Sequence, residues 1–545
     1  MNTSLLKFLS FILLFATASI LPVNVSAQAK YFIGFTDKQN STYSVDKPNE
    51  FLSARAIERR QKQGIAITTD DLPVSSTYIN QVAQIATTIH YPLRWFNGVV
   101  ATLTPQQLTA IQELSFVKSV TKVFEPTKSS TDEETDWQPL NQSDKNTFAN
   151  LNYGASYTQV AMMNGHILHG NGYLGDGMVI AVLDAGFLNA NTHSAFDSLR
   201  QKGRILGTRD FVNPHSDIYQ EHYHGTMVLS TMGGYVDGNL IGTAPRAKYW
   251  LIRTEDAATE QIIEEYNWAA GAEFADSVGA DIINSSLGYT TFDVAGQNHS
   301  YQDLNGNSAP ATLAANMAAS KGLVVVVSAG NDGNSTWHYI STPADSPYVL
   351  TVGAVDNNKI KADFSSFGPT ADGRIKPDVC AMGKGTVLAI ATGTTGTSNG
   401  TSFSSPLMAG MVACLWQAKP TLTAQQIIEL IKSSSSNYST PNNSIGFGIP
   451  DFALASRSDI VDLPIPIELW PNPFTSKINL NLRKPNTELA ISVFNANGQI
   501  LFSKKALSNG NGLVEIELPK DWPKGIYIIS LSTAETSYNV MGIKQ

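Results

Sequence analysis

The sequence predicts an α/β protein built on a doubly wound, mostly parallel sheet, with a smaller α+β domain before it and an all-β sandwich after it. Three observations carry this. Between 150 and 456, short β-branched runs such as 178–183 (MVIAVL) and 323–327 (LVVVV) alternate with helical stretches, the pattern of a parallel sheet covered by helices. Those runs are apolar throughout rather than alternating, as strands buried on both faces require. At 545 residues the chain also exceeds the ordinary size of one domain.

Taken in order, residues 1–27 read as a signal peptide, with Lys7 near the start, an apolar stretch from Phe8 to Leu21, and Val25, Ser26 and Ala27 as a small-residue cleavage site. That apolar run falls short of the roughly 20 residues that span a bilayer, and no later stretch is long and apolar enough. Residues 28–128 mix strand-like runs, 31–35 (YFIGF), 95–100 (WFNGVV) and 116–120 (FVKSV), with an amphipathic helix over 51–60, which describes a small α+β domain. The Ser, Thr, Asp and Glu content of 129–149 predicts an exposed, cleavable linker. After the doubly wound domain of 150–456, a Pro-punctuated linker over 457–468 leads into 469–545. There, alternation in 477–482 (KINLNL) and an Asn497-Gly498 hairpin signal predict the sandwich.

Composition narrows function. With 46 acidic against 37 basic residues, the formal charge of -9 leaves no basic field to collect nucleic acid. Two cysteines, Cys380 and Cys414, allow at most one disulfide and equally two buried thiols, and they lack the spacing of a zinc site.

Four polar residues stand at structural punctuation points. Asp184 follows the strand 178–183, at the carboxyl edge where open α/β sheets place ligands, although a lone Asp there is more often a cap or loop anchor. His224 precedes Gly225, Thr226 and an apolar run ending at Gly233 and Gly234, so it starts a helix; alone it reads as a solvated surface imidazole. Ser402 precedes positions 407, 408, 411, 412, 415 and 416, one apolar helical face. At such a helix start, free N–H groups and the positive dipole end stabilise charge developing on a carbonyl oxygen beside a nucleophile, and a plain helix cap would use the same residue type. Asn331, after Ser328, Ala329 and Gly330, could donate to an oxyanion or make an ordinary turn.

Together, strand-Asp-x-Gly, His-Gly-Thr-x-Val, strand-Ala-Gly-Asn and Gly-Thr-Ser-x-x-Ser-Pro, in that order, resemble the subtilisin-like serine peptidases. The chain order Asp, His, Ser differs from that of chymotrypsin-like enzymes, and Ser404 replaces the second glycine of the Gly-x-Ser-x-Gly elbow of α/β-hydrolases. Further resemblance lies in 285–288 (SSLG), 364–369 (FSSFGP), 372–378 (DGRIKPD) and 446–450 (GFGIP). The resemblance implies a serine endopeptidase acting through an acyl-enzyme: Ser402 as nucleophile, His224 as base, Asp184 orienting it, and Asn331 with the Ser402 N–H as oxyanion hole. It implies polypeptide substrates lying extended between Ser286, Leu287, Gly288 and Ser328, Ala329, Gly330, with Ser341 lining the primary pocket. No acidic cluster stands at that pocket's positions, so apolar or medium-sized side chains are expected there over Arg or Lys.

By the same resemblance, 28–128 is a propeptide, the chain's own intramolecular inhibitor, whose removal matures the enzyme. The last domain, through 470–474 (WPNPF), 493–498 (VFNANG) and 525–527 (GIY), resembles the type IX secretion sorting domain of Gram-negative bacteria. This implies the secretion machinery as a partner and delivery outside the cell or onto its surface. The family often carries His where Met227 stands and Met-Ala where Phe403 and Ser404 stand. No cofactor is implied for the chemistry; structural calcium occurs in the family, but no Asp-x-Asp-x-Asp-Gly loop assigns a site, and the metal ligands stay unknown. The rival reading from another class is an inactive cell-surface binding protein on the same fold.

Overall fold

The computed structural model describes residues 29–39, 41–126, 137–140, 147–458, 468–471, 473–482, 486–495, 498–509, 512–533 and 537–545. The signal peptide, most of both linkers and the Asn497 half of the hairpin signal lie outside these residues.

The N-terminal domain is a four-stranded antiparallel sheet of β1 (Ala29–Phe35), β2 (Thr88–Leu93), β3 (Gly98–Leu103) and β4 (Val117–Phe124), in the order β2-β3-β1-β4 with Ile33 opposite Val99. Helix α1 (Ala54–Gln63) begins three residues after the sequence-expected start, because Ser53 caps it: its Oγ accepts the Ala56 N–H (3.2 Å). Helices α2 (Ser76–Ala83) and α3 (Pro105–Gln112) contribute to a core of Ile33, Val82, Val99, Ala101 and Ile111 on one face of this sheet.

The central sheet has seven parallel strands: β5 (Val179–Asp184), β6 (Ile205–Asp210), β7 (Lys248–Arg253), β8 (Ile282–Ser285), β9 (Val324–Ser328), β10 (Leu350–Val355) and β11 (Val379–Met382). Their order is β11-β10-β9-β8-β5-β7-β6, so successive crossovers change direction around β5 and β8, where such sheets open a crevice beyond their carboxyl ends. Alternate residues of one strand feed different cores. Ile180 and Val182 pack with α4 (His224–Gly233) and α7 (Thr401–Ala418), whereas Ala181 and Leu183 pack with α5 (Ile263–Val278) and α6 (Pro310–Ser320). The second core also takes in Phe32, Tyr91, Leu93, Val100 and Val123, so the N-terminal sheet is packed against these helices through its other face. Burying a Leu- or Phe-sized side chain contributes about 1.5–3 kcal/mol, which makes this a substantial interdomain contact.

Within the expected 129–149 linker, Trp137–Pro139 forms a strand pairing antiparallel with Thr395–Ser398, with Trp137 packed on the core that contains Ile180 and Val182. An aromatic side chain in an otherwise polar stretch supplies the burial that a free linker lacks. The C-terminal domain has two antiparallel sheets, of three and four strands, enclosing Phe474, Ile478, Leu480, Ile491, Val493, Ile529 and Leu531. Cys380 and Cys414 are free and buried, and burial pushes both thiols upward.

Candidate active site

Each singled-out residue emerges where an element of the sheet domain starts or stops. β5 ends at Asp184, α4 starts at His224, β9 runs into Ala329–Asn331, and α7 starts one residue before Ser402. Asp184 is fully buried, and its Oδ1 accepts both the Ala185 N–H (2.8 Å) and His224 Nδ1–H (2.8 Å). Among the described residues its Oδ2 has no hydrogen-bond partner. A carboxylate on Nδ1 assigns the tautomer with Nε2 unprotonated. Burial alone would lower the His224 pKa; the charge and hydrogen bond of Asp184 outweigh it and raise the imidazole above its ordinary 6.5, with Glu255 adding in the same direction.

Ser402 and Ser286 grip each other across the crevice. Ser286 Oγ donates to the Ser402 carbonyl (2.8 Å), and Ser402 Oγ donates to the Ser286 carbonyl (3.3 Å). The serine hydroxyl therefore rests on a backbone acceptor, a looser arrangement than a reacting complex needs and common in unliganded sites. Gly400, at φ +151°, lets the chain turn into α7. Asn331 fixes that turn: its Oδ1 accepts both the N–H and the Oγ–H of Thr401 (2.9 Å each), which leaves Nδ2 as the free donor. Of the three residues that depart from the family pattern, Phe403, fully buried, lies under the His224 ring at 6.0 Å between centroids, Met227 joins the same core, and Ser404 is buried with its Oγ donating to the Thr401 carbonyl (3.0 Å).

A cleft of about 810 Å³ gathers His224, Ser286, Leu287, Gly288, Ser328, Gly330, Asn331, Ser341 and Ser402. Ala329 is not on its lining; it is fully buried, and its carbonyl accepts the Ser341 N–H (3.3 Å), so it holds the pocket from behind. Ser341 Oγ is buried without a partner among the described residues, between two glycines. A Cβ on Gly288 would stand 2.0 Å from that oxygen and one on Gly330 3.2 Å, so bare glycine walls keep the pocket open. The reading along the sequence missed the far end of the cleft, lined by Glu255, Glu260 and Asp293. Burial, with Asp184 next, pushes Glu255 up to about 7, and burial with Glu255 pushes Glu260 up to about 9. The one signal available was acid density in 255–265, which looks like a solvated face. Among the described residues, no group of three or more His, Cys, Asp or Glu is arranged to hold a metal ion.

A model of the subtilase family matches residues 175–448, half of the chain. The chain belongs to the subtilase family. In this subtilase, residues 30–138 match the Peptidase S8 propeptide domain of Bacteroidota, and 468–544 match a secretion system C-terminal sorting domain, which indicates secretion or the cell surface as destination. It is 30% identical over 280 residues to subtilisin NAT of Bacillus subtilis subsp. natto, covering 51% of this chain and 65% of that one. Over the same length it is 30% identical to a subtilisin of Bacillus pumilus, covering 90% of it. Among solved structures, MycP1 with its N-terminal propeptide removed aligns at a TM-score of 0.45 and 25% identity, over 56% of this chain and 98% of that one.

Proposed function

We propose that this subtilase is a secreted serine endopeptidase made as a precursor, with Asp184, His224 and Ser402 as its triad. The observation that carries the reading is the bond from His224 Nδ1–H to a fully buried Asp184, with His224 on the cleft that also holds Ser402. With Nδ1–H held, Nε2 is the ring's basic lone pair. Ser402 Oγ leaves the Ser286 carbonyl, passes its proton to Nε2 and attacks the substrate carbonyl carbon, whose π electrons move onto oxygen. Asn331 Nδ2 and the Ser402 N–H take that oxyanion, and the dipole of α7 favours the same charge. His224 then gives its proton to the leaving amine as the C–N bond breaks. Water, deprotonated by His224, releases the acid from Ser402 and restores the enzyme. Every group in this scheme belongs to the chain, so it calls for no cofactor.

Substrate lies extended along Ser286–Gly288 and Ser328–Gly330 as an added strand. Glycine walls and the Ser341 hydroxyl favour apolar or medium-sized side chains in the primary pocket. Cleavage profiling on a peptide library is expected to show that preference, and strict Arg selection at that position would remove it. Residues 28–128 act as the propeptide, with the maturing cut in the 129–149 segment and export by 1–27.

The deciding experiment compares wild type with Ser402→Ala on casein and with a fluorophosphonate probe, following the N-terminus by mass spectrometry. Wild type is expected to label, to digest casein and to lose its N-terminal domain. Ser402→Ala should do none of these, with turnover down about 10⁶-fold, the scale measured for loss of the nucleophile in subtilisin. A folded wild type, freed of its N-terminal domain and still unlabelled, would instead be a binding protein.

A further inference from the structure

The strand Trp137–Pro139 lies between the N-terminal domain and the subtilase domain, and the propeptide match ends inside it, at residue 138, so sequence likeness does not say which product of maturation keeps it. Its pairing and packing are with the subtilase domain. It is an outer strand of a three-stranded antiparallel sheet whose other members, Thr386–Ala389 and Thr395–Ser398, form a hairpin with Thr395–Ser398 in the middle. Trp137 sits against the core that holds Phe403 under the His224 ring, and Leu140 sits against Ala195, Leu240, Val387 and Ala389.

The hairpin leaves one edge for this strand. On the far side, Val387 turns both its polar groups outward: its N–H donates to Gln159 Oε1 (2.8 Å) and its carbonyl accepts from Gln159 Nε2 (3.0 Å). Thr397 stands opposite Val387, so by the alternation of an antiparallel ladder its own N–H and carbonyl point the other way. Gln138 is its partner there, and the next bond in register runs from Leu140 N–H to Thr395 O (3.4 Å). Pro139 stands opposite Gly396 in the intervening pair, where an edge strand has no use for an N–H. A Cβ on Gly396 would stand 2.7 Å from Gln138 O, so the close approach of the two strands depends on that glycine. Without Trp137–Pro139, the strand Thr395–Ser398 becomes an open edge whose outward N–H and carbonyl groups lose their partners.

That edge leads straight to Ser402: after Ser398 come Asn399, Gly400 and Thr401. Asn399 Oδ1 accepts the Gly385 N–H (2.8 Å), and the Gly400 N–H donates to Gly383 O (2.8 Å). The turn into α7 thus hangs from the chain before the hairpin and from Thr395–Ser398. The substrate-binding segments Ser286–Gly288 and Ser328–Gly330 continue strands of the central sheet and have no part in this one. We propose that the maturing cut falls before Trp137, so that Trp137–Pro139 stays on the mature enzyme as its N-terminal strand, and that it positions Ser402 by closing the edge of the strand that leads into α7. This rests on the reading of Ser402 as nucleophile. A cut beyond Pro139 would remove the strand with the propeptide and loosen the turn that presents the serine.

Intact mass and N-terminal sequencing of matured wild type should place the new N-terminus at or before Trp137; a start beyond Pro139 overturns the proposal. Gln138→Pro removes a ladder N–H and keeps the Trp137 side chain, whereas Trp137→Ala removes the side chain and keeps the ladder. Each should lower kcat on a short peptide by about tenfold or more with KM within about twofold, because the substrate-binding segments are untouched. Fluorophosphonate labelling should slow by the same factor, and Trp137→Phe should return kcat to within about threefold of wild type. An unchanged kcat, or a raised KM with kcat kept, overturns the positioning role. Hydrogen exchange in full-length Ser402→Ala needs no peptidase activity and no maturation. Adding Gln138→Pro there should speed exchange of the 395–402 amides by about tenfold or more, and equal exchange overturns the proposal. If that difference is present and wild type never labels, the reading of Ser402 as nucleophile falls, and the positioning role falls with it.

Discussion

His224 is pulled in two directions: burial favours the neutral ring, and Asp184 with Glu255 favours the charged one and prevails. The base of the proposed reaction is the neutral ring, so kcat/KM should rise with pH through a limb lying above 6.5. Glu255→Gln removes one of the charges that raise His224, so this limb should move to lower pH. A pH profile from 5 to 9 on one peptide substrate checks it, and an unmoved or upward-shifted limb would refute the electrostatic account. Asn331→Leu should lower kcat by about 10²–10³ with little change in KM, because its free Nδ2 meets only the oxyanion. Asp184, His224, Asn331 and Ser402 each stand where a strand ends or a helix begins, but in the sequence only the joint resemblance of their motifs, not that punctuation, singled them out. Glu255, Glu260 and Asp293 were not singled out: they come from loops whose approach to the cleft depends on the order of strands, and acids in loops ordinarily face water. Ala329 stands behind the cleft and not on its lining, since period-2 alternation past the end of β9 turns its side chain away.

The elements were legible wherever a strand is buried on both faces, because β5 and β9 must then be apolar without alternation. Helix α1 was legible as a helix but not as an interdomain contact: its arginines look like a solvated stripe, and only packing against α5 and α6, some 220 residues away, buries them. A buried ion cluster ties elements together in the same hidden way. Asp378, just before β11, meets Lys376 (2.7 Å), Lys432 of the Ala424–Ser433 helix (2.8 Å) and the Thr351 N–H of β10 (2.9 Å). Burial raises this carboxyl and the two lysines more than reverse it, holding it well below the usual carboxylate range. A depressed folded-state pKa contributes stability at pH above the unfolded value of about 3.9, lost as pH falls through the folded one. Asp378→Asn should therefore cost about 3–5 kcal/mol at pH 7, by leaving two buried ammonium groups without their counter-ion, and the variant should show a shallower loss of stability below pH 4. Urea unfolding at pH 7 and pH 3 measures both; equal stability of the two proteins at pH 7 would mean the cluster is neutral overall.

At the scale of the molecule, separate cores imply separable parts. The N-terminal sheet lays one face on α5 and α6 of the subtilase domain and closes a core of its own on the other. The C-terminal sandwich instead closes its own core around Phe474, Ile491 and Ile529 and meets the subtilase domain at small polar and cation–aromatic contacts such as Arg374 beside the Trp470 ring (6.0 Å). Trp470 and Arg374 are both buried, so a contact of that kind is worth about 2 kcal/mol, against the many kilocalories of either core. Deleting residues 459–545 should thus lower the melting temperature of the remaining chain by no more than about 8 °C and leave fluorophosphonate labelling of Ser402 unchanged, because each kcal/mol lost shifts a large domain by only about 2–4 °C. The same deletion should abolish appearance of the protein in the medium or on the cell surface of a host whose secretion system reads this sorting domain, with the labelled enzyme accumulating in the periplasm. If labelling fell with the deletion, the sandwich would be part of the catalytic fold; if the truncated enzyme still reached the medium, its address would lie elsewhere in the chain.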